Sequence, residues 1–516
     1  MKVVTADEMR RIDRAAIDGA GIPSEVLMGF AGKAVADIIF EEMRDAGQVV
    51  VCSGTGNNGG DGFVIAYLLA NRGMRARVIL AGSRSKMTPT AAVFLNICER
   101  SGVTVEEVRD ENELRPALFA DAGLVVDALA GTGFTGAPRG LLAAAIAAIN
   151  ACGARVLSVD MPSGLPSDGE GPAGEAVRAD MTVTIGLPKV SLVTWPGRPF
   201  AGELRIADIG FPAALAEGGD IRTELADTRY ARRIFPPPPG ADFHKGAAGH
   251  LLLAGGFDTM EGAIIMTAEA AFQTGVGLAT LITTPGARVA IAGAVPELIT
   301  RSLEGGEGTA IAQGLERLMG EDRRYGALVI GPGMGRGAYS RIVFDTLIGT
   351  CAAGGIPSVL IDGDGLYHLA EYLKENRLPG GVRFIITPHF LEASRILGMS
   401  VEEIKNNRFG AAGALAERTG CTALLKGPGT VIHDGADARI NTTGNPALAT
   451  AGSGDVLSGI IGALLLRDMP PLDAAALGAH IHGLAADLCS AEQGLEVMKA
   501  TDGVRFIRMA MASLAR

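Results

Sequence analysis

Short runs of aliphatic and β-branched residues alternate along the chain with longer stretches whose apolar positions recur at helical spacing. In the first half the runs "QVVVCSG", "ARVILAG", "GLVVDALAG", "ARVLSVDMPSG" and "MTVTIGL" read as strands. In the second half "HLLLAGG", "LATLITTPG", "ALVIGPGMG", "PSVLIDGDG", "FIITPH" and "CTALLKGPG" do the same. Near-continuous apolar strands separated by helices predict parallel sheets covered on both faces, an α/β architecture. Nearly every run ends in glycine or in a polar or acidic residue, and ligands of open α/β sheets bind outside the carboxyl ends of the strands. Between the halves lies "RRIFPPPPGADFHKG", whose four consecutive prolines fit neither a helix interior nor a central strand. A boundary near residues 215–240 follows, with an enzyme-like domain over 1–220 and another over 221–516.

Bulk properties narrow the class. At 516 residues the chain exceeds what one core serves. A 48% apolar content with 72 glycines suits α/β domains rich in tight strand-to-helix turns. The formal charge of −11, with no offsetting basic stretch, speaks against a nucleic-acid surface but leaves room for an anion held by backbone amides. Six scattered cysteines form no CxxC and no Cys/His cluster, which argues against a zinc site or a disulfide framework and for a reducing cytoplasm. The charged start lacks a secretory apolar core and no apolar run is long enough to span a bilayer, so no membrane partner is expected.

Three loops of the first half gather candidate chemistry. Gly54, Gly56 and Gly59 satisfy GxGxxG, but a dinucleotide fingerprint wants an acidic residue about 20 positions on, where "VILAGSRSK" offers only Ser83 and Arg84. The amides of Asn57–Gly62 can instead face phosphate at a helix start, and Asn57, Asn58 and Asp61 can give oxygens to a hard cation. A ligand-free Gly/Asn turn remains the plain alternative. Asp127 leads into the second glycine turn, Gly131 to Gly136, and another strand is left through Asp160 and Ser163, with Pro162 stiffening the turn. In the second half "NPALATAGSGDVLSG" sets free amides at Gly452 and Gly454 beside Asp455 at a helix start, an anion hole next to a base. Phosphoryl transfer calls for both, and "LLKGPGTVIHDG" adds a Lys426–Thr430 turn; no GxxxxGK[ST] occurs. His244 and Lys245 in "HKG" are either a phosphate clamp or a solvated loop start.

Taken together, "LMGFAG", "GNNGGDG", "VVDALAGTGF" and "SVDMPSGL" resemble the YjeF N-terminal domain, the NAD(P)H-hydrate epimerase, over roughly Thr5 to Pro212. The resemblance implies a Rossmann-like three-layer αβα sandwich. It implies that Asn58, Asp127 and Ser163 hold a potassium ion. The hydrated dinucleotide would lie against Asn57, Asn58, Gly59, Gly60 and Asp61 and against Gly131, Thr132, Gly133, Phe134, Thr135, Gly136 and Ala137. Asp160 would touch the substrate and serve as acid/base. Epimerisation at a hemiaminal carbon proceeds through reversible loss of hydroxide or ring opening and needs little beyond a proton shuttle.

From about Phe243 onward, "HKGAAGHLLLAGG", "GPGMG", "DGDGL", "ITPH", "LLKGPGT" and "GNPALATAGSGDVLSGIIGALLL" resemble the YjeF C-terminal domain. That family is the ribokinase-like αβα, ADP- or ATP-dependent NAD(P)H-hydrate dehydratase. It implies Asp455 as base on the substrate hydroxyl; Ala263, Gly335 and His389 along the hydrate; and Lys426, Gly427, Pro428, Gly429, Thr430 and Gly454 at the nucleotide. Magnesium is expected with the nucleotide. Two departures stand out: the usual "HPGE" is replaced by His389-Phe390-Leu391-Glu392, and "DGDGL" stands for "DADAL". The expectation is a cytoplasmic, homo-oligomeric repair enzyme acting on NADHX and NADPHX. A kinase of a small alcohol metabolite with a non-catalytic N-terminal domain, a non-catalytic binding module and an NADP dehydrogenase are the rivals.

Overall fold

A computed structural model describes all residues except 239, 241, 243, 303–307, 321–324, 354, 495–497 and 516. Pro239 and Phe243, named above in the linker and at the start of the second resemblance, lie outside the described residues. The chain divides into two compact units. One is formed by Lys2–Thr223 with Asn406–Phe409, the other by Met1, Glu224–Lys405 and Gly410–Arg516. Among the described residues no helix is long and apolar enough to cross a membrane.

In the first unit seven strands pair in parallel. From one edge to the other they run Thr104–Val108, Arg75–Ala81, Gln48–Ser53, Ala122–Ala128, Arg155–Val159, Met181–Ile185 and Glu203–Ala207. The strand Gln48–Ser53 shows why these runs are apolar throughout. Val49 and Val51 enter the core shared with helices Ser24–Glu42 and Asn57–Asn71, while Val50 and Cys52 enter the core under helix Leu141–Asn150. Both faces are therefore buried, and the unit has three layers. The strand order reverses between Gln48–Ser53 and Ala122–Ala128, which opens a crevice at their carboxyl ends.

The second unit follows the same rule with one addition. Strands Thr422–Leu425, Arg383–Ile386, Ser358–Ile361, Ala327–Ile330, His250–Ala254, Leu278–Thr283 and Ile299–Ser302 run parallel in that spatial order. Beside Thr422–Leu425 the strands Val431–His433 and Ala438–Asn441 pair antiparallel, so this sheet is mixed rather than purely parallel. The Asp434 carboxylate closes their turn by accepting the amides of Ala436 and Asp437 at 2.9 and 2.7 Å. Helices Glu261–Thr274 and Ser453–Leu465 pack closely because Gly459 has no side chain; a Cβ there would lie 2.1 Å from the Thr267 carbonyl oxygen. The order reverses between Ala327–Ile330 and His250–Ala254, and the loops that follow them are tied by Gly256 N–H to Pro332 O at 2.9 Å and Phe257 N–H to Gly333 O at 2.8 Å.

Candidate active sites

At the crevice of the first unit lies a cavity of about 600 Å³. Helix Asn57–Asn71 begins there with Gly56 as its cap residue, so its first amides face the cavity. Asn57, Asn58, Asp61, Gly131, Thr132, Gly133, Phe134 and Asp160 line it, together with Asp13 and Lys189. Gly59 and Gly60 do not; they make the helix start possible by packing. A Cβ on Gly59 would meet the Gly54 carbonyl oxygen at 1.9 Å, and one on Gly60 would meet Met28 Sδ at 2.5 Å. Thr135, Gly136 and Ala137 lie exposed beyond the cavity lining.

Asp160 stands at the end of strand Arg155–Val159 with φ of 68°, a left-handed backbone that swings its carboxylate into the cavity. The Lys189 ammonium is hydrogen-bonded to Asp160 Oδ1, with further bonds to Ile185 O at 2.9 Å and Thr184 Oγ1 at 3.2 Å. Thr132 donates both its hydroxyl, at 2.5 Å, and its amide, at 3.1 Å, to Asp160 Oδ2. Burial alone would raise the Asp160 carboxyl, but the Lys189 charge and these hydrogen bonds outweigh it and hold it below the ordinary carboxylate range. Two neighbours behave oppositely. Burial pushes Asp61 well up, reinforced by the charges of Asp160 and Asp13, and burial lifts Asp13 to about 6. The ionised Asp160 therefore sits beside Asp61, which tends to keep its proton, and Asp13, which exchanges one at about 6.

Beneath this layer Asp127 is wholly buried at the end of its strand. It accepts Ser163 Oγ–H at 2.6 Å, Ser163 N–H at 2.9 Å and Ser158 Oγ–H at 2.8 Å. Ser163 Oγ also lies 2.9 Å from the Ala130 amide. Asn58 contributes buried Oδ1 and Nδ2 atoms that have no hydrogen-bond partner among the described residues, and its Cγ would lie 3.4 Å from a Cβ at Gly131. Orphaned amide atoms in contact with a loop anchored by a carboxylate and a serine fit a hard monovalent cation with oxygen ligands. Among the described residues no group of three or more His, Cys, Asp or Glu side chains is placed to hold a metal.

In the second unit the carboxyl ends of four central strands converge. Asp362, following Ser358–Ile361, is buried; its Oδ1 accepts Lys426 Nζ–H at 2.8 Å and its Oδ2 accepts Ser458 Oγ–H at 2.7 Å. Burial would raise Asp362, yet the Lys426 charge holds it low; Lys426 in turn is held up, against burial, by Asp362 and Glu392. A Cβ on Gly454 would lie 3.1 Å from Lys426 Nζ, so the glycine start of helix Ser453–Leu465 and the Lys426 turn share one site. Thr430 Oγ1–H closes that turn onto Gly427 O at 2.9 Å. Asp455, in the first turn of the helix, is raised to about 7 by burial and by the Asp362 charge, with Lys426 opposing. It is a carboxylate poised to exchange a proton near neutrality.

Gly335 is fixed from both sides: its amide donates to Asp364 Oδ2 at 2.9 Å, and His368 Nε2 donates to its carbonyl at 2.9 Å. Ala263 abuts the same loop, its Cβ 3.1 Å from where a Cβ on Gly333 would sit. His389 caps helix Phe390–Leu397: its Nδ1 accepts the amides of Leu391 and Glu392, and Glu392 Oε2 accepts the His389 amide at 2.8 Å. This reciprocal box is how the turn closes with Phe390-Leu391 in it. Glu392, raised to about 7 by burial, stands near Lys426 and Asp362. His244 and Lys245 lie elsewhere, before strand His250–Ala254, with the Lys245 carbonyl against Gly277 at the start of the neighbouring strand. That is the amino end of the sheet, away from Asp455, and the solvated-loop alternative describes them.

A family model described as NAD(P)H-hydrate dehydratase matches residues 251–508, and one described as YjeF-related protein N-terminus matches residues 24–191. The bifunctional NAD(P)H-hydrate repair enzyme Nnr of Moorella thermoacetica is 37% identical over 526 residues, covering 100% of this chain and 97% of its own length. The enzyme of the same name from Coxiella burnetii is 36% identical over 500 residues, covering 96% of each. The chain belongs to the bifunctional NAD(P)H-hydrate repair enzyme family. Among solved structures, the ADP/ATP-dependent NAD(P)H-hydrate dehydratase of Bacillus subtilis, co-crystallised with ATP/Mg2+, is similar at 25% identity with a TM-score of 0.48; the match covers 56% of this chain and 98% of that one.

Within this repair-enzyme framework four side chains join the sites without having been singled out by sequence. Lys189 and Asp13 line the first cavity, and Asp362 and Ser458 tie down Lys426. Lys189 follows "GLP" and Asp13 lies in an ordinary amphipathic helix, so no local motif marks either. Asp362 is different. It is the first acidic residue of "DGDGL", and its place at the end of an apolar strand was an available signal.

Proposed function

We propose that residues 1–220 interconvert the R and S forms of hydrated NAD(P)H and that residues 221–516 dehydrate the S form to NAD(P)H at the expense of ADP or ATP. What carries the reading is the pairing, in one chain with full-length kinship to repair enzymes, of a pocket built around Asp160 and an anion site built around Asp455. In the first site, loss of the ring hydroxyl as water consumes a proton, and return of water to the other face gives one back. Asp160 is our acid/base: kept ionised and aimed by Lys189, it takes the proton released by the returning water, and Asp61, the neighbour that retains its proton, is the source of the one consumed when water leaves. Asn57 and the loop from Gly131 to Phe134 would orient the dinucleotide. Asn58, Asp127 and Ser163 would hold a potassium ion, which would supply fixed positive charge beside the substrate.

In the second site Asp455 takes the proton of the substrate hydroxyl as that oxygen attacks the terminal phosphorus of the nucleotide. Gly454 and the Lys426–Thr430 turn would hold the phosphates, and Ala263, Gly335 and His389 would flank the hydrate. The phosphate then leaves with its bonding pair as the ring loses a proton, restoring the dihydropyridine. ADP as donor gives AMP and phosphate. Asp362, Asp364 and Glu392 are the carboxylates whose charge reaches Asp455 and that could serve a magnesium ion escorting the nucleotide. The chain is expected in the cytoplasm as a homo-oligomer, which sedimentation of the purified protein would check. Product analysis tests the reaction class: AMP and inorganic phosphate should appear in step with NADH, whereas a stable phosphorylated alcohol would mean a kinase.

A further inference from the structure

A second cavity, of about 510 Å³, opens at the same end of the first unit's sheet but on the other side of the glycine loop. It is lined by Gly54 and Thr55 after the first central strand, by Gly82 and Ser83 after the strand Arg75–Ala81, and by Leu129 and Leu141. Lys86, Arg109 and Arg139 also line it, and no carboxylate does. Arg109 is occupied by Glu107 at 2.8 Å. Lys86 and Arg139 make no ion pair or side-chain hydrogen bond with the described residues, so two cations face a ligand-sized hollow uncompensated. The walls are fixed: a Cβ on Gly82 would meet Thr55 Cγ2 at 2.7 Å, and one on Gly54 would meet the Leu129 carbonyl oxygen at 2.1 Å.

The topology gives this hollow a meaning. In a doubly wound sheet the adenosine ribose of a dinucleotide lies over the end of the second strand, where an acidic residue takes the 2′-hydroxyl or a cation takes a 2′-phosphate. Here that strand ends in Ala81-Gly82-Ser83 with Lys86 one turn on, and no acidic residue. The two cavities share Leu129 and meet at Gly54-Thr55-Gly56, at the start of helix Asn57–Asn71, where a pyrophosphate is favoured. We propose that the cavity lined by Lys86 and Arg139 seats the adenosine end of the hydrated dinucleotide and favours its 2′-phosphorylated form, while the hydrated ring reaches Asp160 in the first cavity. This rests on the epimerase reading of that unit.

The test uses the full chain without ADP, so that only epimerisation proceeds, and compares NADPHX with NADHX. The double variant Lys86→Ala/Arg139→Ala should raise KM for NADPHX by about tenfold, leaving kcat and the NADHX constants unchanged. Lys86→Arg with Arg139 intact should preserve the preference. Separately, calorimetry compares adenosine 2′,5′-bisphosphate with adenosine 5′-monophosphate: the wild-type chain should bind the former more tightly, and the double variant should lose that difference. Equal effects on both hydrates, or an unchanged probe preference in the variant, would overturn the proposal. A probe preference that depends on the two cations in a chain that epimerises neither hydrate would uphold the pocket and strike the epimerase reading instead.

Discussion

At the residue scale the proposed chemistry rests on two carboxylates with opposite proton affinities, Asp160 buried and Asp455 half-buried. Asp160 is held low by Lys189 and Thr132, whereas Asp455 is lifted to about 7 by burial and by the Asp362 charge. Only the ionised form of Asp455 can take the hydroxyl proton. The dehydration rate should therefore climb as pH rises through about 7 and level off above it, a limb that a kcat–pH profile would show. Asp455→Asn should remove that limb together with more than about 99% of NADH recovery, since a positioned base contributes roughly 10²- to 10⁴-fold. Lys189→Met would leave Asp160 buried beside no cation. It should cost about 3 kcal/mol or more in denaturant unfolding and abolish epimerisation, because breaking a buried pair strands a charge. Asp160 and Asp455 could both be picked out in sequence, since each follows or opens a glycine-bearing loop. Lys189 could not: its partner lies 29 positions away and only the fold brings them together.

Glycine spacing decides the site geometry at the scale of elements. Gly59 lets helix Asn57–Asn71 start directly under the loop of Gly54. Gly59→Val would force these backbones apart and should abolish epimerisation while ADP-dependent dehydration of the S form persists, as separate assays of the two epimers would reveal. Gly459→Val would wedge helices Glu261–Thr274 and Ser453–Leu465 apart and should destabilise the chain by about 1–3 kcal/mol in thermal or denaturant melts. The central strands were legible because both of their faces are buried and their runs are apolar throughout. The edge strands Thr104–Val108 and Glu203–Ala207 carry charges on their exposed side, and the hairpin Val431–His433/Ala438–Asn441 is short and polar at its turn. None of these announces itself as an apolar run. The turn at His389 was likewise unreadable in advance, because a histidine serving as helix cap depends on backbone geometry rather than composition.

At the scale of the whole molecule, the two proposed reactions have products that only make sense in sequence. A dehydratase that takes one epimer would stop with the other left over, and an epimerase alone restores nothing. The family resemblance was visible because its loops are contiguous in sequence, whereas the second cavity is assembled from four separate loops and has no motif. The pairing of epimerase and dehydratase in one chain is tested by following NADH absorbance after ADP or ATP is added to a mixture of R and S hydrates. The wild-type chain should convert the whole mixture, and Asp160→Ala should stop when the S form is spent. Asp455→Ala should recover none. Full recovery by Asp455→Ala would rule out Asp455 as the base, and a wild-type reaction that halts at one epimer would rule out the epimerase.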